Sequence, residues 1–139
     1  MIMKMDFEKL IVSKGKFWDI KIHHSQNCLG RCLLWYKGNK DKDLLEISKE
    51  ERDELWELSK KIKTALINLF NPDKFNYLCS GSRTKHLHIH IYPRYSEKRE
   101  FNGIIFEDIH WGNFTTAVNE VEEALLFKIR DVLKKEIEK

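Results

Sequence analysis

The chain has 139 residues and a formal net charge of +3, from 25 Lys and Arg residues against 22 Asp and Glu residues. A chain of this length fits one domain, so we expect a single domain over residues 1–139. The charge is small and no run of Lys or Arg exceeds two residues. These features give no reason to expect general nucleic-acid binding.

The distribution of apolar residues and cysteines bears on the cellular compartment. No stretch of 18 consecutive apolar residues occurs, and charged residues interrupt the first nine positions. We therefore expect neither a membrane-spanning helix nor a signal peptide. The three cysteines, Cys28, Cys32 and Cys79, are odd in number, which favours reduced thiols. The sequence predicts a cytoplasmic protein without a membrane partner.

The first half of the chain predicts two strands and a long helix. Residues 16–23 alternate apolar and polar from Trp18 onward, which predicts a half-buried strand. Residues 30–37 are almost continuously apolar and predict a more buried strand. Ser48 and Glu51 form a capping-box pattern, and apolar residues then recur at helical spacing. We expect this helix to run from about residue 49 to about residue 70 and to end before Pro72.

The second half predicts further strands and a terminal helix. Residues 75–79 indicate a short strand, and residues 86–92 alternate without a break until Pro93, which we expect to end that strand. Residues 101–107 fit either one more strand or an ordered loop. An apolar stripe predicts a terminal helix; it consists of Val118, Val121, Leu125, Ile129, Val132 and Leu133. The order of elements predicts an α+β fold with an antiparallel sheet.

Three of the six histidines, His86, His88 and His90, stand at every second position of one predicted strand. Side chains at this spacing share one face of a sheet and lie about 7 Å apart. The intervening Leu87 and Ile89 then face the opposite way, toward a core. Because an imidazole can be a nucleophile, an acid, a base or a ligand near neutral pH, the row is the candidate functional site.

Three interpretations of this row remain open from chemistry alone. The histidines can form a solvated strand face. They can also bind zinc, since two histidines one residue apart on a strand can reach one ion and a third ligand can come from elsewhere. The candidates for that ligand are His23, His24, His110, Cys28 and Cys32, none of which has a recognisable spacing. The third interpretation is phosphate chemistry, because a neutral imidazole attacks phosphorus and its neighbours can donate to the phosphoryl oxygens.

The motif His86-Leu-His-Ile-His-Ile-Tyr92, followed by Pro93-Arg94-Tyr95, resembles the signature of the histidine triad (HIT) family. Weaker matches occur in the family's order at residues 26–32, 46–51 and 72–77. Residues 106–113 resemble the tail of a diadenosine-polyphosphate-hydrolase-like branch. The resemblance covers residues from about 17 to 115. It implies an α+β, HIT-like fold, an antiparallel sheet of about five strands with two main helices, and a homodimer.

The resemblance also implies a function. The protein would be a nucleotide hydrolase or transferase acting at the α-phosphate of nucleotide conjugates, such as dinucleoside polyphosphates or nucleoside phosphoramidates. His88 would be the nucleophile and form a nucleotidyl-histidine intermediate. His90 would contact a non-bridging phosphate oxygen, and His86 would shape the row. This scheme requires no metal and no cofactor.

Substrate contacts follow from the same resemblance. Gln26 or Asn27 would hold the ribose hydroxyls, and Ser82 or Thr84 would contact the phosphate or the leaving group. Arg31 stands where many members have histidine, and we include it among the candidate substrate-binding residues. All of these also fit ordinary polar loops. Two alternative functions are a non-catalytic nucleotide-binding sensor and a histidine-ligated zinc protein.

Overall fold

The computed structural model describes residues 6–38, 42–81 and 84–139. Ser82, a predicted substrate-binding residue, therefore lies outside the described residues. Over the described ranges the elements run in the order β1 (Ile11–Lys14), β2 (Trp18–Ile22), β3 (Cys32–Tyr36), α1 (Lys49–Phe70), β4 (Lys74–Leu78), β5 (His88–Arg94), β6 (Arg99–Phe101), β7 (Ile104–Phe106) and α2 (Glu123–Ile137). Short 3₁₀ turns span Phe7–Leu10 and Leu44–Glu46.

Five of the strands form one antiparallel sheet in the order β1-β2-β3-β5-β4. Strands β6 and β7 form a separate hairpin. Together with α1 and α2, this sheet confirms the predicted α+β fold of about five antiparallel strands and two main helices. No helix among the described residues is both long and apolar enough to cross a membrane.

The bounds of α1 agree with the prediction because local signals set both of its ends. Ser48 caps the first turn by accepting from the Glu51 N–H at 3.1 Å, and the Glu51 carboxylate accepts from the Ser48 N–H at 2.8 Å. At the other end Asn71 takes a left-handed conformation, with φ of 47°, one residue before Pro72.

Both helices cover one face of the sheet, where the core lies. Alternate residues of β2, β3 and β5 are buried against apolar residues of the helices. The fully buried side chains of this core include Trp18, Ile20, Ile22, Leu34, Ile91, Ile62, Leu66, Leu126, Ile129 and Leu133. The histidines lie on the other face of the sheet.

Strand β5 is displaced from its predicted bounds. It begins at His88 rather than at residue 86, and it continues through Pro93 to Arg94. Strand β3 pairs with β5 only as far as Ile91, whereas β4 pairs with it through Arg94. The missing N–H of Pro93 therefore removes no bond to β3, and the prediction that this proline ends the strand is wrong.

Two regions near the ends of the chain also differ from expectation. Strand β1 has no predicted counterpart, because its four residues are too few to show a pattern. Helix α2 begins at Glu123, so Val118 and Val121 lie before it, contrary to the prediction. The preceding segment instead makes a bridge between Glu120 and Ser25, a tertiary contact that helical periodicity does not reveal.

The interval 101–107, which fits either a strand or a loop, folds as a β-hairpin. The turn between β6 and β7 consists of Asn102 and Gly103, both with positive φ, of 54° and 81°. An Asn-Gly pair with positive φ at both positions is the favoured two-residue hairpin turn.

Candidate active site

The histidines of β5 lie on the sheet face opposite the helices. His88 is paired with Trp35 of β3, and His90 is paired with Leu33. Leu87 and Ile91 are buried in the core on the other side. The predicted separation of a histidine face from an apolar face is thus present, although His86 lies just before the strand.

Hydrogen bonds to main-chain carbonyl groups orient His86 and His88. Nδ1 of His88 lies 2.5 Å from the carbonyl oxygen of His86, and Nε2 of His86 lies 2.5 Å from the carbonyl oxygen of Tyr36. Because a carbonyl oxygen only accepts, each of these ring nitrogens donates. A neutral His88 therefore carries its proton on Nδ1 and keeps the lone pair of Nε2 available.

His90 is surrounded by aromatic rings and by one cation. The guanidinium of Arg31 reaches His90 Nδ1 at 3.2 Å, and the rings of His88 and His23 lie 4.9 Å and 5.4 Å from the His90 ring. Burial, followed by the charge of Arg31 and then by His88, lowers the pKa of His90 to about 4. Burial and the same guanidinium also lower the pKa of His23, to about 2. Both rings are therefore neutral at pH 7.

A cavity of about 660 Å³ opens beside His88 and His90. Its described lining combines the cations Lys21 and Arg31 with aromatic and apolar side chains, and includes no Asp or Glu. Pockets of this size and mixed character hold small organic ligands. The charge of the lining favours an anionic ligand over a cationic one. His88 also lines a second cavity of about 310 Å³, toward Lys42 and Lys85.

The stretch that precedes α2 forms one wall of the larger cavity. Residues 114–118 line it. Asn119 fastens this wall to the loop after β2, since its N–H donates to the Ser25 hydroxyl at 3.0 Å and its carbonyl oxygen accepts from the Gln26 N–H at 2.7 Å. The loop that carries Arg31 and the wall opposite it are therefore held together.

A buried ion pair anchors the start of the same stretch. Arg94 donates to both oxygens of Asp108, at 2.6 Å and 3.0 Å, and also to the carbonyl oxygen of His110. Both charged side chains are almost inaccessible. This bidentate pair fixes the chain after β7 against the end of β5.

The structure places the two residues predicted to hold the ribose away from the cavity lining. The Gln26 side chain is fully buried, and its amide bonds to the backbone of His23, Arg31 and Gly30. Asn27 is buried as well, and its side-chain oxygen accepts from Arg31 at 3.0 Å. The structure thus gives both residues contacts that shape the loop.

Two other predicted substrate-binding residues, Arg31 and Thr84, do line the cavity together with His88 and His90. Three further residues also line the cavity: His23, which the sequence offered only as a candidate zinc ligand, and Lys21 and Trp35, to which it assigned no role. Alternation along β2 places Lys21 and His23 on one face, but only the pairing of β2 with β3 shows that this face is the one that carries the histidine row.

Only some of the candidate zinc ligands lie near the histidine row: the His23 ring is 5.4 Å from the His90 ring and stacks on the His24 ring. Cys32 belongs to the core on the helical side of the sheet, and His110 Nδ1 lies 2.9 Å from the Thr115 hydroxyl. Within the described ranges no group of three or more His, Cys, Asp or Glu residues is placed to hold a metal ion.

The HIT domain family model matches residues 32–97, which confirms the predicted resemblance to the histidine triad family over that part of the chain. A comparison with curated proteins found no match.

Several solved structures share this fold. A histidine triad protein from Marinobacter aquaeolei VT8 is 18% identical over 94% of this chain and 93% of its own, with a TM-score of 0.70. Diadenosine triphosphate hydrolase from Plasmodium falciparum, solved in complex with cyclomarin A, is 19% identical over 99% of this chain and 81% of its own, with a TM-score of 0.69. A HIT family protein from Bacillus anthracis is 27% identical over 63% of this chain and 64% of its own, with a TM-score of 0.56.

Proposed function

We propose that the protein is a nucleotide hydrolase or transferase that acts at the α-phosphate of nucleotide conjugates, with His88 as the nucleophile. The observation that carries this proposal is the bond between His88 Nδ1 and the carbonyl oxygen of His86. It leaves the Nε2 lone pair of a neutral ring available, beside a cavity whose described lining is free of carboxylates. Dinucleoside polyphosphates and nucleoside phosphoramidates are the substrate classes that the family resemblance implies.

The reaction proceeds in two displacements. His88 Nε2 attacks the α-phosphorus, and the bond from phosphorus to the leaving group breaks as that group departs with the bonding electrons. The phosphorylated ring is positively charged, and its Nδ1–H faces the carbonyl oxygen of His86. Water then attacks the phosphorus, the P–Nε2 bond breaks, and the electron pair returns to His88. The products are a nucleoside monophosphate and a proton released to solvent.

His90 and His86 assist this reaction in different ways. His90 is neutral at pH 7 and donates to a non-bridging phosphate oxygen, where negative charge develops. His86 holds the nucleophile through its own carbonyl group. Arg31 and Thr84 contribute to substrate binding from the cavity lining. The mechanism needs neither a metal nor a cofactor, and it suits a small-molecule nucleotide.

The proposed assembly is a homodimer that joins two sheets. Strand β4 is an edge of the five-stranded sheet, and an unpaired edge offers hydrogen-bonding groups to a second strand. Tyr77 of β4 is 53% exposed, and Trp56 of the neighbouring helix α1 is 61% exposed. Both side chains line an apolar groove of about 730 Å³. These features support the dimer that the family resemblance implies. A cytoplasmic location remains a prediction.

The test uses a panel of adenosine conjugates and measures the release of AMP. We expect the native protein to release AMP from at least one conjugate and His88→Asn to lose at least about 10³-fold in rate. A labelled nucleotide mixed with excess native protein should give an acid-labile protein adduct that His88→Asn does not form. Circular dichroism and thermal unfolding establish that the variant is folded, and Lys128→Gln on the exposed face of α2 is the control.

Two results would contradict the proposal. Full turnover by His88→Asn would show that His88 is not the nucleophile. Nucleotide binding by the native protein without an adduct or a product would instead identify the alternative, a non-catalytic nucleotide sensor.

A further inference from the structure

Arg31 is a buried cation that has no carboxylate partner among the residues that the structure describes. It lies directly before β3 and is 8% exposed. Among the described residues no carboxylate oxygen lies within 4 Å of its guanidinium; the ion pairs of this region join Arg94 with Asp108 and His24 with Glu120 instead. The neighbours of Arg31 are neutral: the Asn27 side-chain oxygen at 3.0 Å, and the ring of Tyr92, whose centroid lies 4.4 Å from the guanidinium carbon.

This cluster also has more donors than acceptors. Arg31 Nε and Asn27 Nδ2 are both buried, and neither has a hydrogen-bond partner in the described part of the chain. Buried donors are almost always satisfied in folded proteins. Arg31 itself lines the cavity, so an anion bound there would supply the counter-charge that its described neighbours do not.

The contact between Arg31 and His90 has a defined direction. A guanidinium has donors and no acceptor, so Arg31 Nη2 donates and His90 Nδ1 accepts across 3.2 Å. The proton of a neutral His90 must then be on Nε2. This is the opposite tautomer to that of His88, whose Nδ1 donates to a carbonyl oxygen. The two neighbouring histidines are thus complementary: Nε2 of His88 carries no proton and has a free lone pair, whereas Nε2 of His90 carries a proton and can donate it in a hydrogen bond.

The groups that face His90 reinforce this arrangement. They are Arg31, His88, Tyr92 and His23, with His24 stacked behind His23 and Lys21 elsewhere in the cavity lining. The carboxylate in this neighbourhood is Glu120, which lies 3.5 Å from His24 rather than against His90. A proton added to His90 Nδ1 would point at the guanidinium, so protonation of His90 is opposed both by charge and by geometry.

We propose that Arg31 is a positioning residue that fixes His90 as a neutral donor through Nε2 and keeps the phosphate side of the site positive at every working pH. This inference rests on the proposed function of the same site. A histidine in place of Arg31 would lose its charge near neutral pH, whereas an arginine does not. Anion binding in this protein is therefore independent of histidine protonation on that side of the cavity.

The first test is independent of catalysis. Histidine tautomers are assigned by long-range ¹H–¹⁵N NMR on the native protein, with His90→Gln used to identify the His90 signals. We expect His90 to be the Nε2–H tautomer from pH 6 to pH 8.5. In Arg31→Gln we expect the pKa of His90 to rise from about 4 toward its ordinary value, because a neutral amide replaces the cation. A native His90 with its proton on Nδ1 would overturn the proposal.

The second test measures AMP binding at pH 6.0 and pH 8.5. Arg31→Gln should bind AMP about tenfold more weakly than the native protein at pH 8.5, with a smaller loss at pH 6.0, where a larger fraction of His90 is protonated and supplies part of the missing charge. Arg31→Lys keeps a permanent cation and should show little dependence on pH. Arg31→His should resemble the glutamine variant at pH 8.5, and Lys128→Gln is the control for net charge.

An arginine that only supported the loop would give a different result. Its removal would weaken AMP binding equally at both pH values and leave the His90 tautomer unchanged, which would overturn the proposal. If the native protein bound AMP but turned over no conjugate, the proposed function would fail while the NMR and binding measurements still decided the role of Arg31.

Discussion

The imidazole of His86 stacks on the indole of Trp35, with ring centroids 3.9 Å apart and ring planes 11° apart. The same imidazole donates to the carbonyl oxygen of the next residue, Tyr36. Strand β3 therefore holds His86 by a ring contact and by a hydrogen bond. Because the carbonyl group of His86 in turn orients His88, packing against β3 sets the direction of the proposed nucleophile.

Removal of the Trp35 ring should lower kcat markedly while it changes the stability of the fold only slightly. We expect Trp35→Ala to lower kcat by about tenfold, since small misplacements of reacting groups are costly. Trp35→Phe retains an aromatic face and should lose less than about threefold. Steady-state kinetics and thermal unfolding, measured together, separate the two effects. Equal kcat for both variants, or a loss confined to KM, would contradict a positioning role.

Gln26 should contribute to stability rather than to recognition of the ribose. Its buried amide bonds to three backbone groups, so Gln26→Ala leaves these groups unsatisfied and should cost about 2–4 kcal/mol of unfolding free energy. Urea unfolding measures this loss. The affinity ratio of AMP to 2′-deoxy-AMP should not change in the folded variant. Unchanged stability together with a reduced ratio would restore Gln26 as a ribose ligand.

The buried pair between Arg94 and Asp108 should be essential for a stable cavity wall. Asp108→Asn leaves the Arg94 charge buried without a counter-ion and should cost about 3–5 kcal/mol. The matched control is Asp131→Asn, because Asp131 pairs with Arg130 on the surface and is 60% exposed there. We expect the control to change stability by less than about 0.5 kcal/mol. Similar losses in the two variants would contradict this account.

His23 should make the stability of the protein depend on pH. Its pKa is lowered to about 2 by burial and by Arg31, so the unfolded chain binds a proton below about pH 6.5 that the folded chain does not. Native stability should therefore be full above that pH and fall as the pH decreases toward 4. His23→Gln should remove up to about 1.4 kcal/mol of this loss per pH unit. Parallel stability curves for the two proteins would be inconsistent with a neutral buried His23.

The proposed homodimer predicts a charge-sensitive interface at the edge of β4. Tyr77→Glu and Trp56→Glu should each convert the protein to a monomer, because each places a carboxylate within an apolar contact. Light scattering coupled to size exclusion gives the mass. Ile109→Glu is the control, since Ile109 is 65% exposed on another part of the surface and its replacement should leave the dimer intact. A native protein that is monomeric at high concentration would contradict the dimer.

Local sequence signals predicted the elements whose determinants lie close together in the chain. The bounds of α1 follow from Ser48 at one end and from Asn71 and Pro72 at the other. The histidine row follows from alternation, which separates His88 and His90 from Ile91. The expectation that Pro93 ends the strand failed, because whether a proline ends a strand depends on where the neighbouring strands stop pairing.

Local patterns in the sequence were enough to predict an α+β fold and a row of three histidines that resembles the HIT signature. Which groups contact that row depends on the tertiary structure. Arg31 and His90 are 59 positions apart, and the pairing of β3 with β5 places the guanidinium 3.2 Å from the ring. In the same arrangement the Gln26 amide bonds to the backbone of its own loop, and the His23 ring lines the cavity. Such contacts depend on strand order and register, which are set by packing across the whole sheet rather than by neighbouring residues.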